Sequence, residues 1–210
     1  MAKQQKRIED TIFTFFDVET TGLALNQGDK ICEVAALKVC NGEKLASFQS
    51  LVNPDRMISP EAYAVNGITA KMLNNKPRFQ QIGDDLLNIL AGTVIVCHNA
   101  SFDISFLETE LNQAGLFLPP LPIVDTLVLA RKYFKFSRNR LGDIARSLGI
   151  KIDRQHRAMD DCIITMNVFQ KFVESFKRQG LKTLDEILYI QEGFFREGYL
   201  PADKEGIRKR

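Results

Sequence analysis

The chain has few of the residues that mark secreted, zinc-binding or membrane-spanning proteins. Its 210 residues include four cysteines and two histidines, and the cysteines are scattered without the paired spacing of zinc ligands. We therefore expect neither a zinc site nor a disulfide framework, which fits a reducing compartment. No run reaches the ~18 apolar residues of a transmembrane helix. Residues 1–10 are polar and charged, so we expect no membrane contact, no secretory signal and a cytoplasmic location.

The chain also lacks a strong excess of either charge. It has 28 basic and 26 acidic residues, a net charge of +2. So weak a balance neither supports nor excludes nucleic acid as a partner, because the local placement of charge decides that. The hydrophobic content of 45% and the length of 210 residues are sufficient for one well-buried domain.

Short apolar runs predict five strands. An Asn-Gly pair at 41–42, the dipeptide most typical of a type I′ hairpin turn, joins the second strand to the third. The first three strands therefore form an antiparallel meander, with Asp17 and Glu19 at the end of the first. The predicted strands are 12–16, 31–39, 45–52, 94–97 and 123–124.

Helical spacing of apolar residues dominates the rest of the chain. Strands that first form a meander and then alternate with helices predict a layered α/β or α+β domain. Gly180 marks the expected boundary between a domain at 11–179, preceded by the polar segment 1–10, and a C-terminal helix and tail at 180–210. The predicted helices begin at Ser59-Pro60 and cover 79–90, 101–114, 126–134, 141–148, 157–176 and part of 181–210.

Two acids close together follow the first strand. Alternate side chains of a strand share one face, so Asp17 and Glu19 point the same way. Two carboxylates aimed together repel each other unless a cation or a proton lies between them. Taken alone, the triplet fits two solvated acids in a turn better than a metal site.

A third acid and a second cluster lie further along the chain. Asp103 falls in the first turn of a predicted helix, where the helix dipole favours a carboxylate, although acids are ordinary there. His156 and Asp161 are five residues apart, about 140° around one helix. We therefore place Asp161 inside the last long helix and His156 in the loop before it. A loop histidine can act as a base near neutral pH, and a solvated histidine is the equal alternative.

Three segments of the sequence resemble a known family. FDVETTGL at 16–23, HNASFD at 98–103 and HRAMDD at 156–161 are similar, in this order, to the three motifs of the DEDDh superfamily of 3′→5′ exonucleases. Residues 53–56 and 62–69 also resemble that superfamily. Within it, residues 11–179 most resemble the proofreading exonuclease subunits of bacterial DNA polymerase III.

The resemblance implies an RNase H-like fold, a mixed five-stranded sheet flanked by helices. It also implies that Asp17, Glu19, Asp103 and Asp161 hold two Mg²⁺ or Mn²⁺ ions and that His156 is the general base. Hard carboxylate oxygens suit such ions, and a pair of them can activate a water for phosphodiester cleavage.

Three further acids compete weakly for the metal. Asp160 adjoins Asp161, but the motif spacing selects Asp161, which makes Asp160 a solvated or supporting acid. Glu33 lies within a strand, and Asp125 lies at an expected helix cap.

The resemblance also implies contacts to the terminal nucleotide. Leu23 would wedge against its base, and Asn99 would reach a phosphate or sugar. Asn66 stands where many family members have histidine, so we expect altered substrate handling with the chemistry retained. Phe102 packing in the core is an equal alternative to its nucleotide contact. The implied contacts are Thr20, Thr21, Leu23, Ala62, Val65, Asn66, Asn99 and Phe102.

Residues 131–140 carry five basic residues and no acid. Basic groups between aromatic ones suit single-stranded nucleic acid, through phosphate attraction and base stacking. The alternative is a solvated helix end whose aromatic side chains, Phe134 above all, face the core. We expect Arg138, Arg140 and Arg157 to contact phosphates.

Together these observations favour a metal-dependent 3′→5′ exonuclease that releases nucleoside 5′-monophosphates in proofreading or repair. Its expected partners are single-stranded 3′ ends, DNA before RNA, and a replicative DNA polymerase subunit. One alternative is an exoribonuclease like RNase T or oligoribonuclease. Another is a nucleic-acid-binding module without activity, but the chain retains all the residues that the chemistry requires.

Overall fold

The computed structural model describes residues 6–192, and its centre is a five-stranded mixed sheet in the order β3-β2-β1-β4-β5. β1 pairs antiparallel with β2 and parallel with β4, β2 pairs antiparallel with β3, and β4 pairs parallel with β5. The predicted meander followed by parallel strands is confirmed. The strands are β1 Ile12–Thr20, β2 Ile31–Cys40, β3 Glu43–Leu51, β4 Val94–Cys97 and β5 Ile123–Asp125.

Eight α-helices flank this sheet in the described part of the chain. All begin and end within a few residues of a prediction except α2, a single turn that the pattern did not indicate. No helix between residues 6 and 192 is both long and apolar enough to cross a membrane. The helices are α1 Pro60–Asn66, α2 Ala70–Leu73, α3 Gly83–Leu90, α4 Ala100–Gln113, α5 Thr126–Tyr133, α6 Leu141–Ser147, α7 Ala158–Arg178 and α8 Leu184–Glu192.

The first strand is longer than its apolar run. The sequence predicted an end after Phe16, but β1 continues to Thr20. Asp17 lies opposite Ala35 of β2, and Glu19 lies opposite Glu33. Backbone pairing with β2 does not depend on apolar side chains, so the strand continues where the hydrophobic pattern stops. The two acids therefore lie inside a strand, which fixes their directions.

The two faces of the sheet carry separate cores, and the alternation along β1 decides which core each side chain meets. Phe13 and Phe15 pack under α7, where the ring of Phe13 meets that of Phe169 at 5.0 Å. Phe16 and Val18 belong to the cluster formed with α3 and α4. Odd-numbered residues of β1 therefore face α7, and this places Asp17 and Glu19 on the α7 side of the sheet.

The hairpin between β2 and β3 has the turn that the sequence predicted. Asn41 and Gly42 both have positive φ angles, 48° and 80°. A type I′ turn requires this conformation at both central residues, and asparagine and glycine adopt it most readily.

Residues 181–192 pack in the same core as the domain before them. The backbone N–H of Ile8 donates to Lys182 at 3.0 Å, and Leu184 and Ile187 of α8 are buried with the side chains under α7. The boundary expected at Gly180 therefore follows the end of α7 without separating a second core between residues 6 and 192. The predictions for residues 1–5 and for the tail at 193–210 lie outside the described residues.

The carboxylate of Asp125 caps the N-termini of two helices, α4 and α5. Oδ1 of Asp125 accepts from the backbone N–H groups of Leu127 and Val128 at 2.8 and 3.3 Å, and so caps α5. The same carboxylate accepts from Asn99 at 3.1 Å and from Ala100 at 3.0 Å, at the start of α4. Asp125 thus caps a helix, as predicted, and it also anchors the helix that carries Asp103.

We expect Asp125→Ala to reduce the free energy of unfolding by about 2–4 kcal/mol, because the N–H groups of two helix ends lose their acceptor. Urea denaturation followed by circular dichroism measures the change. The control is Asp153→Ala, since the side chain of Asp153 is 80% exposed, and it should change stability by less than about 0.5 kcal/mol. Equal losses in both variants would contradict the double cap.

Candidate active site

Three elements bring the four predicted carboxylates together. Asp17 and Glu19 project from β1 toward α7, and Asp161 lies in the first turn of α7. Asp103 lies in the first turn of α4, as predicted, and its Oδ1 accepts from the backbone N–H of Val18 at 3.2 Å. β4 pairs with β1 only from Phe13 to Phe15, so Asp103 satisfies a β1 donor just beyond the last paired residue.

His156 lies in the loop before α7, as predicted, and its ring reaches the carboxylates. Ligand atoms of Glu19, His156 and Asp161 all lie within 4.8 Å of one another. The backbone turns sharply at His156, where φ is 61°, and its N–H donates to Oδ2 of Asp161 at 3.0 Å. The separation around a regular helix does not apply to this pair, because the loop folds the histidine back over the first turn of α7.

Burial raises the pKa of each of these acids, and repulsion from other acids of the cluster adds to this for Asp17, Glu19 and Asp103. Burial and the nearby carboxylates of Asp103 and Asp161 raise the pKa of Asp17 well above its usual range. Burial, with Asp161 nearby, raises the pKa of Glu19 to about 7. Burial raises the pKa of Asp161 to about 6 although the N–H of His156 opposes it, and burial raises that of Asp103. Four carboxylates in this arrangement require protons or cations between them.

The side chains of the cluster are suitable ligands for divalent metal ions. Oδ1 of Asp161 is buried without a hydrogen-bond partner among residues 6–192, and a buried oxygen of this kind is satisfied by a bound cation. The four carboxylates offer hard oxygen ligands for divalent cations, whereas structural zinc sites typically use thiolates.

Both ring nitrogens of the other histidine, His98, have hydrogen-bond partners within the fold. The Nε2 atom of His98 lies 3.0 Å from the backbone carbonyl of Asn139, which can only accept a hydrogen bond, so Nε2 carries a proton. Its Nδ1 atom lies 2.9 Å from the hydroxyl of Thr126. Burial lowers the pKa of His98. With both ring nitrogens occupied, His98 is not the base, and His156 is the histidine beside the acids.

Two acids that competed for the metal have other partners. Glu33 is fully buried and forms an ion pair with Arg157, with N–O distances of 2.7 and 2.8 Å. Asp125 caps α4 and α5. The sequence missed the ion pair, although a glutamate inside an apolar strand signals a buried cationic partner. The guanidinium of Arg157 is thereby occupied, and its contact with a phosphate stays a prediction.

The loop after β1 exposes one apolar side chain and buries its neighbours. Leu23 is 84% exposed, whereas Thr20 and Thr21 are buried. Asp29 organises this loop by accepting from the hydroxyl of Thr21 and the N–H of Ala24, both at 2.9 Å. A Cβ at Gly22 would lie 2.3 Å from Oδ2 of Asp29, so any larger residue there would displace the Asp29 carboxylate. The sequence did not indicate the role of Asp29.

The other predicted nucleotide contacts divide into exposed and buried groups. Val65 of α1 is 56% exposed and Ala62 is half-buried, while Asn66 is buried. The side chain of Asn66 donates to the carbonyl of Thr20 at 3.4 Å and accepts from Ile68 at 3.0 Å. Asn66 therefore supports the end of β1 from beneath, and a hydrogen bond from it partly offsets the raised pKa of Glu19.

Asn99 and Phe102 lie at the start of α4. Asn99 is exposed in a left-handed conformation with φ of 78°, where its N–H meets Asp125. Phe102 is half-buried and packs against Phe106 at 4.9 Å. The core packing that was weighed as an alternative for Phe102 is therefore present.

The basic segment at 131–140 presents its charges without its aromatic rings. Arg138 and Arg140 are exposed. Phe134 stacks on Phe172 of α7 at 4.1 Å, and Phe136 packs beside it. The alternative weighed for Phe134, a ring that faces the core, is therefore present, and Phe136 packs against the same core under α7.

Comparison with known proteins agrees with this geometry. The sequence model of a family described as exonuclease matches residues 14–169, most of the chain and every acid of the cluster. The chain belongs to the exonuclease family. Its members use divalent metal ions, which accords with the buried acids. The family expected from the three motifs is confirmed.

Relatives extend the match. The exonuclease-family chain is 37% identical over 175 residues to the DNA polymerase III subunit epsilon of Treponema pallidum, covering 82% of this chain and 81% of that protein. It is 36% identical over 184 residues to the PolC-type DNA polymerase III of Thermotoga petrophila, and 31% identical over 186 residues to the 3′-5′ exonuclease DinG of Bacillus subtilis. Both alignments include 88% of this chain. They include only 13% of the PolC-type polymerase and 20% of DinG.

Solved structures share the fold. Exonuclease X in complex with 5′-overhanging duplex DNA superposes with a TM-score of 0.65 at 28% identity, over 85% of this chain and 99% of that one. Exonuclease I superposes with a TM-score of 0.71 at 17% identity, over 86% of this chain and 43% of that one. The second match concerns the fold alone. The expected sheet with flanking helices is confirmed.

We expect the metal-free protein to lose stability as pH rises. Glu19 and Asp161 have pKa values of about 7 and about 6 in the folded state, above those of an unfolded chain. The folded protein therefore binds more protons between about pH 4 and 7, and this stabilisation is lost as pH rises through 7. Thermal unfolding in EDTA should show Tm falling from pH 5 to pH 8. The corresponding loss in the free energy of unfolding should be about 1–3 kcal/mol.

Metal should reverse this trend. Mn²⁺ or Mg²⁺ binds ionised carboxylates, so the rise in Tm on adding either ion should be larger at pH 8 than at pH 5. The Glu19→Gln, Asp161→Asn double variant is the control, and its Tm should depend less on both pH and metal. A Tm that rises with pH in wild type relative to this control would contradict the raised pKa values.

Proposed function

We propose that this protein is a metal-dependent 3′→5′ exonuclease that hydrolyses the terminal phosphodiester of DNA and releases nucleoside 5′-monophosphates. The observation that supports it best is the convergence of Glu19, His156 and Asp161 within 4.8 Å, with Asp17 and Asp103 beside them. Such a group can hold cations and accept a proton from water in one place. Membership of the exonuclease family agrees with it.

Each residue of the cluster has a part in the proposed reaction. Asp17, Glu19, Asp103 and Asp161 would hold two ions, Mg²⁺ or Mn²⁺. Ions bound there would supply Lewis-acid activation of a water and charge stabilisation at the leaving 3′ oxygen. His156 accepts the proton of that water, because its exposed ring lies next to Glu19 and Asp161 while its backbone N–H is fixed by Asp161.

DNA is the proposed substrate, in a proofreading or repair role. The support comes from the relatives, which are DNA polymerase III proteins and the exonuclease DinG, and from the DNA-bound Exonuclease X. A replicative polymerase subunit is the proposed protein partner on the same ground. The four free cysteines fit a reducing compartment, and we propose the cytoplasm.

Asp17→Asn should abolish cleavage without unfolding the protein. The variant removes a ligand and also removes one repelling charge, so its Tm in EDTA should equal or exceed that of wild type. The assay measures mononucleotide release from labelled single-stranded DNA and RNA of equal length with Mg²⁺ or Mn²⁺. Asp153→Asn, at an exposed site, is the control and should keep wild-type rates.

The same assay tests the substrate. Faster release from DNA than from RNA supports the proposal, and the reverse order would make the protein an exoribonuclease. No release from either substrate by folded wild-type protein would refute the exonuclease function. Full activity of Asp17→Asn would refute the metal assignment.

We expect Arg138→Ala with Arg140→Ala to weaken binding of single-stranded DNA and to reduce its salt dependence. Removal of one arginine–phosphate interaction should lower the slope of log affinity against log salt concentration by about 0.7. Fluorescence anisotropy with a labelled oligonucleotide in EDTA at several salt concentrations measures both effects. Lys151→Ala with Lys171→Ala, two exposed cations elsewhere, corrects for net charge. Equal slopes in the two double variants would exclude the arginine contacts.

A further inference from the structure

Glu33 is a buried charge beside the acid cluster that the proposed reaction does not use. It is 0% exposed and lies directly opposite Glu19 in the pairing of β1 with β2. Like charges at such positions repel each other. Arg157 offsets this repulsion: its Nε and Nη2 atoms donate to the two oxygens of Glu33 at 2.8 and 2.7 Å. The planar fork of arginine suits this two-point contact, whereas lysine does not.

The same carboxylate also begins α7. The backbone N–H of Ala158, the first of the helix, donates to Oε2 of Glu33 at 3.2 Å. Arg157 occupies the N-cap position but provides no side-chain cap. A carboxylate from the sheet therefore takes the place of the usual capping side chain and also interacts favourably with the helix dipole.

A third donor completes the surroundings of Glu33. The side chain of Gln49, on β3, donates to Oε1 at 3.0 Å. Burial alone would raise the pKa of Glu33, but the hydrogen bonds from Arg157 and Gln49 lower it below its usual range. Both oxygens of Glu33 are therefore paired, and Glu33 anchors the start of α7.

Arg157, the partner of Glu33, lies between His156 and Asp161 in the sequence. Arg157 follows His156, whose left-handed backbone is costly for a residue other than glycine and persists only where its surroundings fix it. Asp161 lies one turn into α7, and its backbone N–H donates to the carbonyl of Arg157 at 3.0 Å. Fixing Arg157 against β2 therefore fixes both His156 and Asp161 relative to β1.

We propose that Glu33 and Arg157 are positioning residues, whose buried ion pair, supported by Gln49, holds the His156 loop and the start of α7 against β1 so that His156 and Asp161 meet Glu19. The kinetic part of this inference rests on the proposed exonuclease function. A direct contact of Arg157 with a phosphate is the competing role, and the two roles predict different kinetics.

The kinetic experiment compares Glu33→Gln, Arg157→Gln and the double variant on single-stranded DNA. Each single variant should lower kcat by about 10- to 100-fold with little change in KM. The double variant should be no slower than the slower single variant, because both changes remove one ion pair. A raised KM and a salt slope reduced by about 0.7 in Arg157→Gln, with normal kinetics in Glu33→Gln, would overturn the proposal in favour of phosphate contact.

A second measurement does not depend on activity. Amide hydrogen exchange in the metal-free protein should accelerate at His156 and Asp161 in both single variants, because their hydrogen bonds depend on the anchored loop. Unchanged exchange would overturn the positioning role whatever the activity of wild type. Inactive wild-type protein with accelerated exchange in the variants would refute the exonuclease function and leave the positioning role supported.

Matched variants control for charge and folding. Arg154→Gln removes an exposed arginine of the same loop, paired with Asp160 at 3.7 Å, and should keep wild-type kcat and exchange. A single variant leaves one buried charge unpaired and can unfold; the double variant leaves none. Gln49→Ala keeps the ion pair, so its kcat should fall less than about tenfold. Wild-type kcat and exchange in every folded variant would overturn the proposal.

Discussion

Repulsion among carboxylates is the constraint on which the rest of this structure depends. Asp17, Glu19, Asp103 and Asp161 come from three different elements. Burial raises the pKa of each, and repulsion within the cluster adds to this for the first three. The fold must therefore hold together groups that separate when free. Backbone hydrogen bonds of the sheet provide this restraint. Because β1 is paired with β2 along its whole length, Asp17 and Glu19 cannot turn away from the cluster.

The two helices that contribute acids are held in the same manner. α4 carries Asp103 and begins at the carboxylate of Asp125 on β5, and α7 carries Asp161 and begins at the carboxylate of Glu33 on β2. In both cases an acid of the sheet accepts from the first N–H groups of the helix, and an acid of the cluster follows within one turn. The electropositive helix end stabilises both carboxylates at once. Asp103 and Asp161 are thereby positioned through the N-termini of their helices, where backbone N–H groups are free to bond with side chains of the sheet.

Sequence patterns predicted most of this fold because its elements are locally determined. The Asn-Gly turn, the apolar run of β4 and the amphipathic α7 each identify themselves by periodicity or turn chemistry. The end of β1 could not be predicted, since pairing with β2 extends it past the last apolar residue. The motif residues were predicted by their resemblance to a family. The pairing of Glu33 with Arg157 joins residues far apart in sequence, and no local pattern encodes such a contact.

The site has two sides that differ in structure, one formed by the acids and the other by exposed apolar side chains. One side consists of buried and half-buried acids whose directions are fixed by the sheet and by two capped helices. The other side presents Leu23 and Val65 to solvent, on a loop and a short helix. Strand and helix ends hold charges in place against repulsion, which a loop cannot do. Exposed apolar side chains can adapt to different bases, which suits the nucleotide contact expected of Leu23 and Val65. The acids therefore lie on the rigid elements, and the side chains proposed to contact the base lie on the adaptable ones.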